Sequence, residues 1–138
     1  MGHIEVRWAS GDQFLIGVRG HDPIVDQPRD AGGDDAGPTP TELFVASLAA
    51  CVGFYAERFL KRHGLAIEGL LVRASFAMSE DRPARVTSID LSVVPPVGFP
   101  VERRAALAAV ISLCTVHNSI RLEPVVSMSF VEREVAAA

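Results

Sequence analysis

The stretch Thr39-Pro-Thr-Glu-Leu-Phe-Val-Ala-Ser-Leu-Ala-Ala-Cys51-Val-Gly-Phe-Tyr-Ala-Glu-Arg-Phe-Leu-Lys-Arg-His-Gly64 decides how this chain folds. Its start is marked three times over. Thr39 is a good N-cap, Pro40 takes the first helical position where a missing N–H costs nothing, and Glu42 completes a capping box. Its stop is marked by Lys61, Arg62 and His63 in the last turn and by Gly64, which can take a left-handed conformation. These signals predict a helix over 40–63, about 36 Å long at about 1.5 Å per residue. The first half is apolar on every side. A helix of that kind must be buried all round, which is hard in a small monomer and easy in a dimer that sandwiches it.

Working outward, 3–9 and 13–19 carry strand-forming residues with Ser10-Gly-Asp12 between them, which predicts a β-hairpin. The stretch 20–38 is rich in Gly, Pro and Asp, and Asp30 to Gly37 is expected to be a mobile loop. Residues 66–80 and 84–95 are expected to be two long strands joined by a turn at Glu80 to Pro83, and Pro95 to Pro100 breaks the sheet. A second helix is expected at 101–113, a short turn or helical cap at 115–121, and a last strand at 124–133. The order ββ, α, ββ, α, β defines an α+β domain, with helices on one side of an antiparallel sheet. The whole of 1–138 reads as one domain, a length that buries roughly two-thirds of its unfolded surface. The stretch shows no internal repeat.

The composition is that of a globular protein, and a mean hydropathy of +0.25 is high enough to point to apolar surface covered by another subunit. The net charge is −4, and no more than two basic residues are adjacent anywhere. Nucleic-acid binding by counterion release needs a basic stripe, so that class is excluded. All 13 basic residues are arginine except Lys61. Met1 to Arg7 lacks the apolar core of a signal peptide, and the apolar run Leu43 to Tyr55 is short for a bilayer span. The protein is therefore expected to be cytoplasmic, with no membrane partner.

The chain holds two cysteines, Cys51 in the long helix and Cys114 within Leu113-Cys-Thr-Val-His-Asn-Ser119, 63 residues apart and in no CxxC motif. In a reducing compartment a structural disulfide is unusual. Three readings stand on the residues alone: two packing residues, one nucleophile with a bystander, or a redox pair that the fold assembles. Cys51 lies about three turns into its helix, where the helix dipole no longer helps a thiolate, so a reactive Cys51 needs a cationic partner. His117 follows Cys114 by three residues, and a Cys–His pair or half a metal site is conceivable; packing is the commoner role. His21 and Asp26 lie in the loop, where solvated residues are the rule. Glu42 has its capping role and is a candidate active-site carboxylate.

The segment Gly37-Pro-Thr-Pro-Thr-Glu-Leu-Phe-Val-Ala-Ser-Leu-Ala-Ala-Cys51, followed by Cys114-Thr-Val-His-Asn-Ser119, resembles the OsmC/Ohr family, osmotically inducible protein C and the organic hydroperoxide resistance proteins. Val25-Asp-Gln-Pro28, Gly32-Gly-Asp34 and Gly37-Pro38 resemble its OsmC-like branch, whose substrates are unassigned. The resemblance implies an α+β fold with two long helices at the centre of an intertwined homodimer, each active site drawing on both subunits. It implies a thiol peroxidase acting on organic hydroperoxides without a bound cofactor. Cys51 would attack the peroxide, Cys114 would resolve the sulfenic acid, and a dithiol would reduce the disulfide. In the peroxidases an Arg from the N-terminal hairpin turn, held by a Glu ten residues before the first cysteine, activates the thiol. Here that Glu position is Thr41, with Glu42 one place on, and the turn Ser10 to Gln13 has no Arg. Arg7, Arg19 and Arg29 are the substitutes available. Thr115 also stands where a Pro commonly follows the second cysteine. The alternative is a non-catalytic, small-ligand-binding or stress-response protein of the same fold.

Overall fold

A computed structural model of the chain describes residues 1–134. Strands β1 (Glu5–Ser10) and β2 (Gln13–Gly17) form the expected hairpin. A short strand β3 (Ile24–Val25) adds antiparallel to β2, giving the sheet order β1-β2-β3. This strand lies in the stretch expected to be irregular throughout. So does a 3-10 turn at Arg29–Ala31.

Helix α1 runs Pro40–Arg62, one residue short of the expected end. The capping box is complete: Glu42 N–H donates to Thr39 Oγ1 at 3.1 Å, and Thr39 N–H donates to Glu42 Oε1 at 2.9 Å. At the other end Gly64 takes φ +64, the left-handed conformation that terminates the helix cheaply only with glycine. One face of α1 is buried: Val45, Leu48, Val52, Ala56, Phe59 and Leu60. Full burial of each large side chain there contributes about 1.5–3 kcal/mol.

That face meets a second sheet. Strands β4 (Leu71–Met78) and β5 (Val86–Val94) pair antiparallel, shorter than the expected 66–80 and 84–95. Helix α2 (Arg104–Ile111) covers the C-terminal half of α1, with Leu107 packed among Ala56, Phe59 and Leu60. Residues 101–103, expected to be helical, form a 3-10 turn instead. Helix α3 (Thr115–Arg121) occupies the segment expected to be a turn or helical cap. The two sheets are separate, and α1 packs chiefly on β4, α2, α3 and β5.

The strand expected at 124–133 is not formed. The segment pairs with no edge, and Met128 and Phe130 are 95% and 107% exposed. The alternation Val126, Met128, Phe130 against Ser127 and Ser129 fits a strand with one apolar face, but none of the described residues covers that face. Strand β1 is likewise exposed along its length, and Phe44 and Phe54 stand out from α1 at 44% and 52% exposure. By length and composition α1 is apolar enough to cross a bilayer, and only a third of its most apolar part is buried. Its inner face is nonetheless packed as a core helix is.

Candidate active site

The fold brings the two cysteines together. Helix α2 ends in a tight turn, with Leu113 N–H donating to Val110 O and Cys114 N–H donating to Ile111 O. The chain then turns into α3 with Cys114 at its N-cap. This carries the Cys114 side chain into the core, fully buried against Leu48 and Val52. Cys51 packs against the same cluster from α1 and is only half-buried. Both are free thiols. Cys51 is thus partly exposed as a residue, and Cys114 is fully buried in the cluster against which it packs.

Burial pushes the Cys114 thiol up from its ordinary value, and a hydrogen-bonding interaction with the Cys51 thiol pushes it further. The N–H groups of His117 and Val116, at the start of α3, pull the other way without reversing the shift. Cys114 is therefore held as a neutral thiol, the form suited to waiting behind a reactive partner. Beside the pair, the hydroxyls of Tyr55 and Thr115 share a hydrogen bond of 2.9 Å. A cavity of about 250 Å³ opens next to Leu48, walled by Phe44, Ile89, His117 and Ile120. A second hollow of about 320 Å³ is lined by Phe54, Tyr55, Arg58 and Leu113. There the Arg58 guanidinium sits 4.8 Å over the Phe54 ring.

The remaining candidates are placed elsewhere. Glu42 lies nine residues before Cys51, about 13.5 Å along the helix at about 1.5 Å per residue. Its carboxylate is held in the cap, where the Thr39 N–H and then the Thr39 hydroxyl lower its pKa. Within one chain it is not brought to the sulfurs. Arg7, Arg19 and Arg29 are exposed and belong to the β1–β3 side, away from the elements that pack on α1. Arg7 makes a loose pair with Glu5 at 3.9 Å, worth little in solvent. His117 contributes a wall of the cavity, and His21 closes an exposed turn through Val18. Among the described residues, no group of three or more His, Cys, Asp and Glu could hold a metal ion.

Asp26 departs from expectation. It is 1% exposed, sealed in by its own loop. Its carboxylate accepts N–H bonds from Gln27 at 2.7 Å, Ala36 at 3.0 Å and Asp34 at 3.2 Å. The Ala36 N–H is the largest cause of its lowered pKa; desolvation opposes, and the Gln27 and Asp34 N–H groups add to the lowering. Gly33 is required there: a Cβ would collide with the Gln27 carbonyl and lie 2.8 Å from Asp26 Oδ1. The Gly- and Asp-rich stretch is thus a loop wound around one carboxylate. Sequence gave one signal for this, an Asp directly before a long run of turn residues, and the signal is common to many solvated loops.

A half-buried thiol beside a fully buried one, set between a long apolar helix and an antiparallel hairpin, defines an α+β protein built around a cysteine pair. Residues 32–129 match the family of OsmC-like proteins, and the chain belongs to that family. Solved structures of similar fold include a Psychrobacter arcticus 273-4 protein assigned to osmotic stress induction and the detoxification response. It has a TM-score of 0.77 at 20% identity, covering 86% of this chain and 88% of that one. An OsmC-like protein from Mycoplasma pneumoniae has a TM-score of 0.74 at 16% identity, covering 88% and 87%. The organic hydroperoxide resistance protein OhrB of Bacillus subtilis has a TM-score of 0.62 at 19% identity, covering 89% and 92%. No curated protein sequence matches the chain.

Proposed function

We propose that this protein is a cysteine-based thiol peroxidase that reduces organic hydroperoxides. The observation that carries the reading is the half-buried Cys51 set against the fully buried Cys114. The Cys51 thiolate attacks one peroxide oxygen, the O–O bond breaks, and the alcohol leaves with a proton. Cys51 is then a sulfenic acid. The Cys114 sulfur attacks it, an S–S bond forms and water departs. A dithiol reductant reopens the disulfide by two exchanges and is itself oxidised. The neutral state of Cys114 suits this order, because the attacking nucleophile is the sulfur that the peroxide can reach. The apolar cavity beside Leu48 favours hydroperoxides with an organic body over hydrogen peroxide. Two free thiols suit a reducing compartment, the cytoplasm.

The working unit in this proposal is an intertwined homodimer. Its support is the uncovered apolar surface on α1, β1 and the segment 124–133. A second copy supplies both a cover for α1 and an edge for the unpaired segment. The partner chain can also carry an arginine to Cys51, since this chain's own Arg7, Arg19 and Arg29 are exposed residues of the β1–β3 side. A second reading, a small-ligand-binding protein of the same fold, is favoured by Glu42 being committed to the helix cap.

Steady-state consumption of cumene hydroperoxide with dihydrolipoamide as reductant separates the two readings. Wild type is expected to turn over, Cys51→Ser to be inactive, and Cys114→Ser to lose sustained turnover while still consuming the first equivalent. Absence of turnover in wild type, with ligand affinity retained by Cys51→Ser, contradicts the peroxidase reading.

A further inference from the structure

The cysteine pair is assembled from two segments with different degrees of anchorage. Cys51 is fixed by a 23-residue helix with a buried face. Cys114 sits at the head of α3, which has seven residues and is too short to be stable by itself. Apolar contacts of Ile111 and Val116 with the core set how deep this segment lies. Contacts of that kind do not fix its slide or rotation along α1. A directional bond does. Among the described residues, and apart from the thiol–thiol interaction of the pair itself, the bond between Tyr55 and Thr115 is the one side-chain hydrogen bond between α1 and the segment carrying Cys114.

Its position along each segment matters. Tyr55 is four residues after Cys51, so the two share one face of α1 a single turn apart. Thr115 directly follows Cys114. The hydroxyl pair therefore runs beside the sulfur pair. A disulfide tolerates only a narrow range of backbone separation, about 4.4–6.8 Å between Cα atoms. A slip of α3 along α1 changes that separation directly.

We infer that Tyr55 and Thr115 form a positioning clamp that holds the Cys114 sulfur in register with Cys51 and so sets how readily the two join. This rests on the thiol-pair reading above, and it gives Thr115 a purpose of its own beside the second cysteine. Neither hydroxyl takes part in the chemistry. When the clamp is lost, a sulfenic acid on Cys51 waits longer for its resolving partner and is exposed to a second peroxide.

The test is the equilibrium constant of the Cys51–Cys114 disulfide in a dithiothreitol redox buffer, read by thiol alkylation and mass, with no peroxide present. Tyr55→Phe and Thr115→Val remove only a hydroxyl each. Each is expected to lower the constant about five-fold, the ratio given by a net hydrogen bond of about 1 kcal/mol. That is a rise of about 20 mV in the pair's potential. Thr115→Ser keeps a hydroxyl and is expected to keep most of the wild-type constant. The double variant is expected to be no worse than either single one, because both remove the same bond. Unchanged constants in both single variants, additive losses in the double variant, or no disulfide in wild type at any buffer ratio would each overturn the clamp. A wild type that forms the disulfide in this buffer but not with cumene hydroperoxide contradicts the peroxidase reading and leaves the clamp standing.

Discussion

Strand β5 and the segment 124–133 both alternate apolar and polar residues. In β5, Ile89, Leu91 and Val93 point at the cluster around Leu48, Val52 and Cys114 and are half-buried. In the other segment Val126, Met128 and Phe130 have the same spacing and are fully exposed. The difference does not lie in the residues. Strand β5 has β4 beside it and α1 beneath it; the segment 124–133 has neither. Alternation states that a segment can serve as a strand, and only an available edge and an uncovered apolar face make it one. The uncovered face in this chain lies on α1, around Phe44 and Phe54. The two unmet demands point to a second copy as the common remedy.

The largest effect is expected from the segment itself. Deleting residues 123–138, or replacing Phe130 with Asp, is predicted to halve the particle mass measured by light scattering. A wild-type mass of one chain breaks the comparison, because the segment then has no partner. Leu60→Ala acts on the covered side. Leu60 is fully buried, and its truncation is predicted to cost about 2–5 kcal/mol in urea unfolding at constant protein concentration. If Leu60→Ala costs less than the loss of Phe130, the inner face of α1 is not the main source of stability. Thr39→Ala removes half the capping box and is predicted to cost about 1 kcal/mol.

Smaller effects are expected from pH. Asp26 and Glu42 have lowered values, so their contribution is present above the unfolded range of about 3.9–4.3 and is lost as pH falls through the folded values. Cys114 has a raised value, so stability is full below the unfolded value of about 8.5 and falls as pH rises toward the folded one. Melting temperature against pH is predicted to decline on both sides. Asp26→Asn should flatten the acid limb and Cys114→Ser the alkaline limb. A Cys114→Ser profile identical to wild type above pH ~9 would show that this thiol is not held neutral by burial.

What could be read from sequence follows the range of the interactions involved. Helix α1 was legible to within a residue because its cap, Pro40 and Gly64 all act within a few positions of the ends. The Asp26 loop was not, because the carboxylate binds N–H groups eight and ten residues further on. The Tyr55–Thr115 bond spans 60 residues and leaves no local trace. The cysteine pair was visible only through family resemblance, since its separation of 63 residues carries no metal or disulfide spacing. For 124–133 the expected strand is not formed: the apolar–polar alternation is present, but among the described residues no pairing edge meets it. Glu42 was legible as a cap and is found as one; an active-site use of it gains nothing from its position in a single chain.

The central claim is that Cys51 and Cys114 are partners in one peroxide-driven step. Treating the reduced protein with one equivalent of cumene hydroperoxide, then mapping its peptides by mass without reduction, tests this directly. The prediction is a loss of two hydrogens and a single peptide linking Cys51 to Cys114 within one chain. Two thiols that remain open to alkylation, or a link that joins Cys51 of one chain to Cys51 of another, would contradict it.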